Sequence, residues 1–183
     1  MITYHHENVK LRGTRLVRGF TLVEVLVTLG ITLLLTSLMV IYGRSGEQQI
    51  ILLRDQARIV STILRAKSLA IQAYNADSAF CGYGAHFEPN GTFLIFKDIA
   101  PECSASDNRY SGSAETIETG SLEARLGFEA PLGVSDVLFI PPDPQVIING
   151  DANVDDGLIT LIAKKGNSSV QVKINSAGQV STN

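Results

Sequence analysis

Residues 18–30 read RGFTLVEVLVTLG, and the carboxylate among them decides how the chain is read. From Phe20 to Gly43 the sequence is almost wholly apolar, and Glu24 is its only residue charged at neutral pH. A charge inside a bilayer is unfavourable by about 2.5–3.5 kcal/mol on insertion scales, so such a residue marks a functional site and needs a partner. As a helix, residues 20–42 would be roughly 34 Å long, enough to cross about 30 Å of hydrocarbon. The run exceeds the apolar core of a secretory signal, about 7–15 residues, and no A-x-A-like cleavage site follows it. A plain N-terminal anchor accounts for every residue here except Glu24.

The charge distribution gives the anchor a direction. Lys10, Arg12, Arg15 and Arg18 face Glu7 alone in residues 1–19, a net of +3. From Asp77 onward 6 Lys/Arg oppose 14 Asp/Glu, a net of −8. Cationic residues beside a span stay in the cytoplasm, so the N-terminus is expected inside and the acidic remainder outside. Cys81 and Cys103 both lie in that exported part. An even pair in an oxidising compartment implies a disulfide, with about 3 kcal/mol of stabilisation for a loop of this size.

Beyond the run, Gly43, Ser45 and Gly46 form a soft spot. Apolar residues then recur at Leu53, Ala57, Val60, Leu64 and Ile71, opposite Arg54, Arg58, Ser61, Arg65, Ser68 and Gln72. This spacing predicts an amphipathic helix reaching about Tyr74, its apolar face packed on a soluble domain, with Asn75 and Asp77 ending it. From Ala79 the texture is β. Residues 83–87 and 92–96 flank Glu88-Pro89-Asn90-Gly91 and read as a hairpin. A polar loop over 98–113 carries Cys103. Strands are expected at 115–119, 122–128 and 137–140, with Pro141-Pro142-Asp143-Pro144 a hard break. The stretch LITLIAKKGNSSVQVKIN reads as two strands about a Lys164-Lys165 turn, and Gly178 begins a last turn. The expected fold class is α+β: a long N-terminal helix and a C-terminal antiparallel β-sheet domain.

Arg18-Gly19-Phe20-Thr21-Leu22-Val23-Glu24 closely resembles the signal of type IV prepilins and type II secretion pseudopilins: a basic leader ending in Gly, then Phe, then Glu at the fifth mature position. The resemblance implies cleavage by prepilin peptidase between Gly19 and Phe20, and N-methylation of Phe20. It also gives Glu24 a partner, the N-terminal amine of a neighbouring subunit. Opposite charges attract strongly in a low-dielectric bundle, and removing one strands the other. The helix RDQARIVSTILRAKSLAIQ and the ending VKINSAGQV resemble the GspH/FimT branch of minor pilins and pseudopilins. Many pilins carry a Pro midway along the anchor helix; this chain has none there, and Gly43 is the nearest substitute.

The implied organisation is a leader (1–19), a membrane and assembly helix (20–43), an amphipathic helix (44–76) and a β-rich head (77–183). The implied function is a structural minor subunit of a type IV pilus or secretion pseudopilus. Its partners are other subunits, prepilin peptidase and the bacterial cytoplasmic membrane. The alternative is a membrane-anchored ligand- or DNA-binding receptor pilin. No Gly-rich phosphate loop, H-E-x-x-H or Cys beside a usable His points to an enzyme, and no cofactor is implied. His86 reads as a half-buried sheet residue. Asp151, Asn153 and Asp155 alternate like calcium ligands, but Asp156 replaces the turn glycine of an EF-hand and Ile162 its closing Glu, so a solvated loop is expected. Binding to duplex DNA requires clustered Lys or Arg. Lys164, Lys165 and Lys173 are the candidates, but in an acidic head no nucleic acid is expected.

Overall fold

The computed structural model describes residues 19–73, 80–142 and 145–183. The leader cations lie outside the described residues, as do Tyr74, Asn75, Asp77 and Ala79, and Asp143 and Pro144 of the proline-rich break. One helix, α1 (Leu22–Ala73), enters two compact units, Met1–Gly43 and Arg44–Asn183.

In the first unit the stretch Leu22–Val40 is apolar enough to cross a membrane and buries none of its residues. Its threonine hydroxyls are satisfied within the helix. The hydroxyls of Thr28 and Thr32 donate to the carbonyls of Val25 and Leu29 at 2.9 Å, and Thr36 donates to Thr32 at 2.8 Å. A hydroxyl that bonds its own backbone avoids the penalty of an unpaired polar group in hydrocarbon.

The second unit joins the remainder of α1 to two antiparallel sheets. One has five strands in the order β3-β2-β1-β5-β6: β1 (Gly82–Phe87), β2 (Thr92–Asp98), β3 (Thr116–Ser121), β5 (Asp136–Ile140) and β6 (Gln145–Ile148). The other is β4-β7-β8-β9, made of β4 (Leu126–Phe128), β7 (Asp156–Ala163), β8 (Ser169–Asn175) and β9 (Val180–Thr182). The main core joins Ile59 and Ile63 of the helix to Phe93 and Phe139 of the first sheet and Leu161 and Val172 of the second. This is the α+β, pilin-like arrangement.

The first sheet is covered on both faces. Phe93 and Ile95 of β2 belong to the main core, whereas Leu94 and Phe96 pack with Leu138, Ile147 and Tyr110 in a second cluster. Two buried faces explain why TFLIF is a continuous apolar run rather than an alternating one. Gly84 makes the outer face possible: a Cβ there would lie 2.5 Å from the Phe96 ring. The covering segment holds Cys103 and Tyr110, and a Cys81–Cys103 disulfide ties it to the start of β1. Two short 3₁₀ turns, Cys103–Ala105 and Ser113–Glu115, lie within it.

Three expectations need correction. The helix face at Leu53, Ala57, Leu64 and Ile71 is exposed; the buried stripe is Leu52, Ile59, Ile63, Ala66 and Ala70, with Val60 partly buried between the two. The stripes lie about a third of a turn apart on the helix. Asp55 and Gln56 interrupt the buried one with polar side chains, which hid it from a hydrophobic count. The chain after the proline-rich break forms β6, where no strand was expected, and the C-terminus forms β9, where only a last turn was expected. Strand β4 is short, because residues 122–125 turn rather than extend.

Candidate functional site

Gly19 and Phe20 precede α1 in non-helical backbone. Nothing lies within 4 Å of where a Gly19 Cβ would stand, and Phe20 is exposed. Thr21 caps the helix, its Oγ1 accepting the Glu24 N–H at 3.2 Å. Thr-x-x-Glu is the pattern of a capping box, in which the glutamate reaches back to the capping residue's N–H. The geometry supplies the first half only. The Glu24 carboxylate has no hydrogen bond or ion pair among the described residues. It stands three residues into the helix, where the positive end of the dipole favours an anion, on an unburied apolar segment.

A second apolar strip, exposed except at Val60, lies further along α1. Ile50, Ala57, Leu64 and Ile71 recur every seven residues, with Leu53 and Val60 three beyond the first two. Ile50 is 68% exposed, Leu53 56%, and Leu64 and Ile71 48% each. A repeat of this kind is the a/d pattern of a helix–helix seam. Charges flank it: Arg65 pairs with Glu118, and Arg58 pairs with Asp55 at 3.1 Å while its guanidinium lies 5.3 Å from the Phe93 ring centre.

His86 of β1 sits 2.8 Å from Asp136 of β5 through Nδ1, with Tyr110 against its ring at 4.7 Å. Asp136 is buried. Its Oδ1 also accepts the Tyr110 N–H at 3.1 Å, and its Oδ2 accepts the Ser135 hydroxyl at 2.7 Å. Burial pushes the Asp136 carboxyl up, but the bonds from His86, Ser135 and Tyr110 outweigh it and hold it below the usual carboxylate range. Ser135 donates to the carboxylate rather than to the imidazole, so His, Asp and Ser meet here in an order that does not activate a serine. Asn149 completes the network: its Oδ1 accepts from Ser135 N at 2.7 Å and Asp136 N at 3.1 Å. Sequence reasoning missed Asp136 and Asn149, because nothing local marks them as partners of His86.

The calcium candidates are exposed. Asp151 Oδ1 accepts from Asn153 N at 2.8 Å and Asn153 Nδ2 at 3.0 Å, while the Asp155 carbonyl accepts from Ser176 N–H at 2.8 Å. Among the described residues no three His, Cys, Asp or Glu side chains converge as a metal site would require. The Lys candidates separate: Lys173 pairs with Asp156 at 2.8 Å, whereas Lys164 and Lys165 sit with Arg125 beside the helix.

No curated protein and no solved structure matches this chain. One family model does, the prokaryotic N-terminal methylation motif, over residues 14–40, which takes in Gly19, Phe20 and Glu24 and stops short of the β domain. On its apolar N-terminal helix the chain therefore carries the signature of type IV prepilins.

Proposed function

We propose that the chain is a minor pilin or pseudopilin of the GspH/FimT kind. It is held in the bacterial cytoplasmic membrane by residues 20–43, with residues 1–19 inside as a leader and the head outside. Prepilin peptidase cuts between Gly19 and Phe20 and methylates the new Phe20 amine. The helix then assembles the subunit into a type IV pilus or a type II secretion pseudopilus. The observation that carries this reading is Glu24: one ionisable group, unpartnered among the described residues, on a helical segment that buries nothing. An amine from a second subunit would give it a counter-charge where solvent cannot. The exposed heptad seam from Ile50 to Ile71 supports the same conclusion, since it offers a second stretch of the helix for a neighbour.

Within the head, α1 as far as Ala73 supplies the helix and the strands from Gly82 onward the β-rich part, fastened by the Cys81–Cys103 disulfide. Mass spectrometry of protein extracted from cells with an active prepilin peptidase tests the reading. The expected mature chain begins at N-methylated Phe20, and Gly19→Phe retains the leader. An intact leader on the wild-type chain in such cells overturns the assignment.

A further inference from the structure

We propose that a cavity beside the first turns of the head helix binds the headgroup of an anionic phospholipid. The inference rests on the membrane-anchoring reading above. The cavity is about 210 Å³, and its floor is apolar: Ile51 from α1, with Leu126 and Ala163 facing each other across the β4–β7 pair. Its rim is cationic. Arg125, Lys164 and Lys165 are all exposed, and they are half of the 6 Lys/Arg found from Asp77 onward in a region of net −8.

The rim is held in place by the backbone. Lys164 N–H donates to the Arg125 carbonyl at 2.9 Å, and Gln48 Nε2 donates to the Lys165 carbonyl at 3.2 Å. Lys164 Nζ donates to the Ala124 carbonyl at 3.0 Å, which leaves two of its three protons for a ligand. The Lys165 ammonium has no hydrogen bond or ion pair among the described residues. The opposing charges are Glu47, on Arg125 at 3.1 Å, and Glu123, shared by Arg125 at 3.8 Å and Arg54 at 3.5 Å. Arg54 also faces Asp55 at 3.6 Å, so at the rim three cations meet two anions, one of them shared with Arg54, and the site is left positive.

Two features favour a lipid over a soluble anion. The apolar floor accepts the glycerol and first acyl carbons below a phosphate held at the rim. The site also belongs to the chain next to the span: Gln48 follows Val40, the last residue of the candidate span, by eight positions. Even a fully extended chain could not separate them by more than about 28 Å. A basic residue near an anionic membrane surface contributes about fivefold in binding, an effect screened within about 8 Å at physiological salt.

The test uses the full chain in lipid nanodiscs of phosphatidylcholine alone or with phosphatidylglycerol, read by amide hydrogen exchange. Exchange over residues 122–126 and 163–168 should slow by at least about fivefold with phosphatidylglycerol, with the rest of the head unchanged. Lys165→Glu, whose side chain supports nothing in the head, should abolish the difference. Equal exchange in both discs, or an unaltered difference in Lys165→Glu, overturns the proposal. Protection that appears only with two copies per disc, whatever the lipid, assigns the cavity to the acidic head of a second subunit and also overturns it. If the chain enters neither disc, the anchoring reading fails, and the inference with it.

Discussion

Residues 22–40 of α1 are apolar and residues 52–70 amphipathic, yet the first segment buries nothing and the second buries a full stripe. Each contains a single carboxylate. Asp55 is 0% exposed and completely met: Oδ2 accepts the Glu123 N–H at 2.7 Å, and Oδ1 accepts from Arg58 at 3.1 Å with Arg54 at 3.6 Å. The Glu24 carboxylate meets nothing among the described residues. A buried charge is tolerated when the same chain supplies its hydrogen bonds, and Asp55 thereby pins the helix to the 121–123 turn. An apolar segment with an open carboxylate is left without such bonds among the described residues, which is why the proposed function assigns it a partner. One helix thus holds a folding element and, on the function proposed above, an assembly element.

The sharpest way to break that contrast is Glu24→Val. Membrane insertion should be unchanged or improved, since an unfavourable charge is gone. The head should keep its thermal midpoint. Incorporation into filaments should nevertheless fall by at least about tenfold, because the partner amine loses its counter-charge. Co-purification with filaments at wild-type yield would reduce Glu24 to half of a helix cap.

Adjacent residues test the other side of the contrast. Ile63 is 0% exposed and Leu64 48%. Ile63→Ala should destabilise the head by about 3 kcal/mol through lost burial and a residual cavity. Leu64→Ala should lie within about 0.5 kcal/mol of wild type. In filaments the Leu64 variant should still incorporate less well, because it thins the exposed seam. Equal losses in urea unfolding would return the buried face to the Leu53–Leu64 side and remove the seam.

The helix, the two hairpins and the α+β class were legible because their signals are local. A Pro-Asn-Gly turn sits between the strands of the first hairpin, and a Lys-Lys-Gly-Asn turn between those of the second. Glu24 stands out in the sequence for the opposite reason: it contradicts its surroundings. The buried helix face was not, since Asp55 and Gln56 occupy it and their partners, Glu123 and Gln171, lie more than a hundred residues away in the second case. Strand β6 was hidden behind Pro141 and Pro142, although only the residues after the break needed to pair with β5. The His86–Asp136 network joins β1 to β5 across 50 positions, and no spacing rule reaches that far.

That network and its counterpart at Asp98 give the smallest effect, and the one that asks whether the head completes its own charges throughout. Both carboxylates are buried, but they are shifted in opposite directions. Asp136 is held below the usual range: burial raises it, and its hydrogen bonds overcome that. Asp98 is pushed up by burial, beyond what its bond from Ser106 opposes, with Glu115 and Asp107 adding repulsion. For Asp136 the unfolded chain takes up protons first, at about pH 3.9, so its contribution is present above that value and is lost as pH falls through the folded value. For Asp98 the folded chain holds its proton longer, so its contribution declines as pH rises past about 3.9. Asp136→Asn should therefore cost about 1 kcal/mol at pH 7, with the gap closing in acid. Asp98→Asn should be neutral or stabilising at pH 7 and converge on wild type in acid. Urea unfolding of the disulfide-intact chains from pH 7 downward reads both. An Asp136→Asn loss that persists in strong acid, or an equal loss for Asp98→Asn at pH 7, would mean that the hydrogen bonds around Asp136 do not favour its charged form.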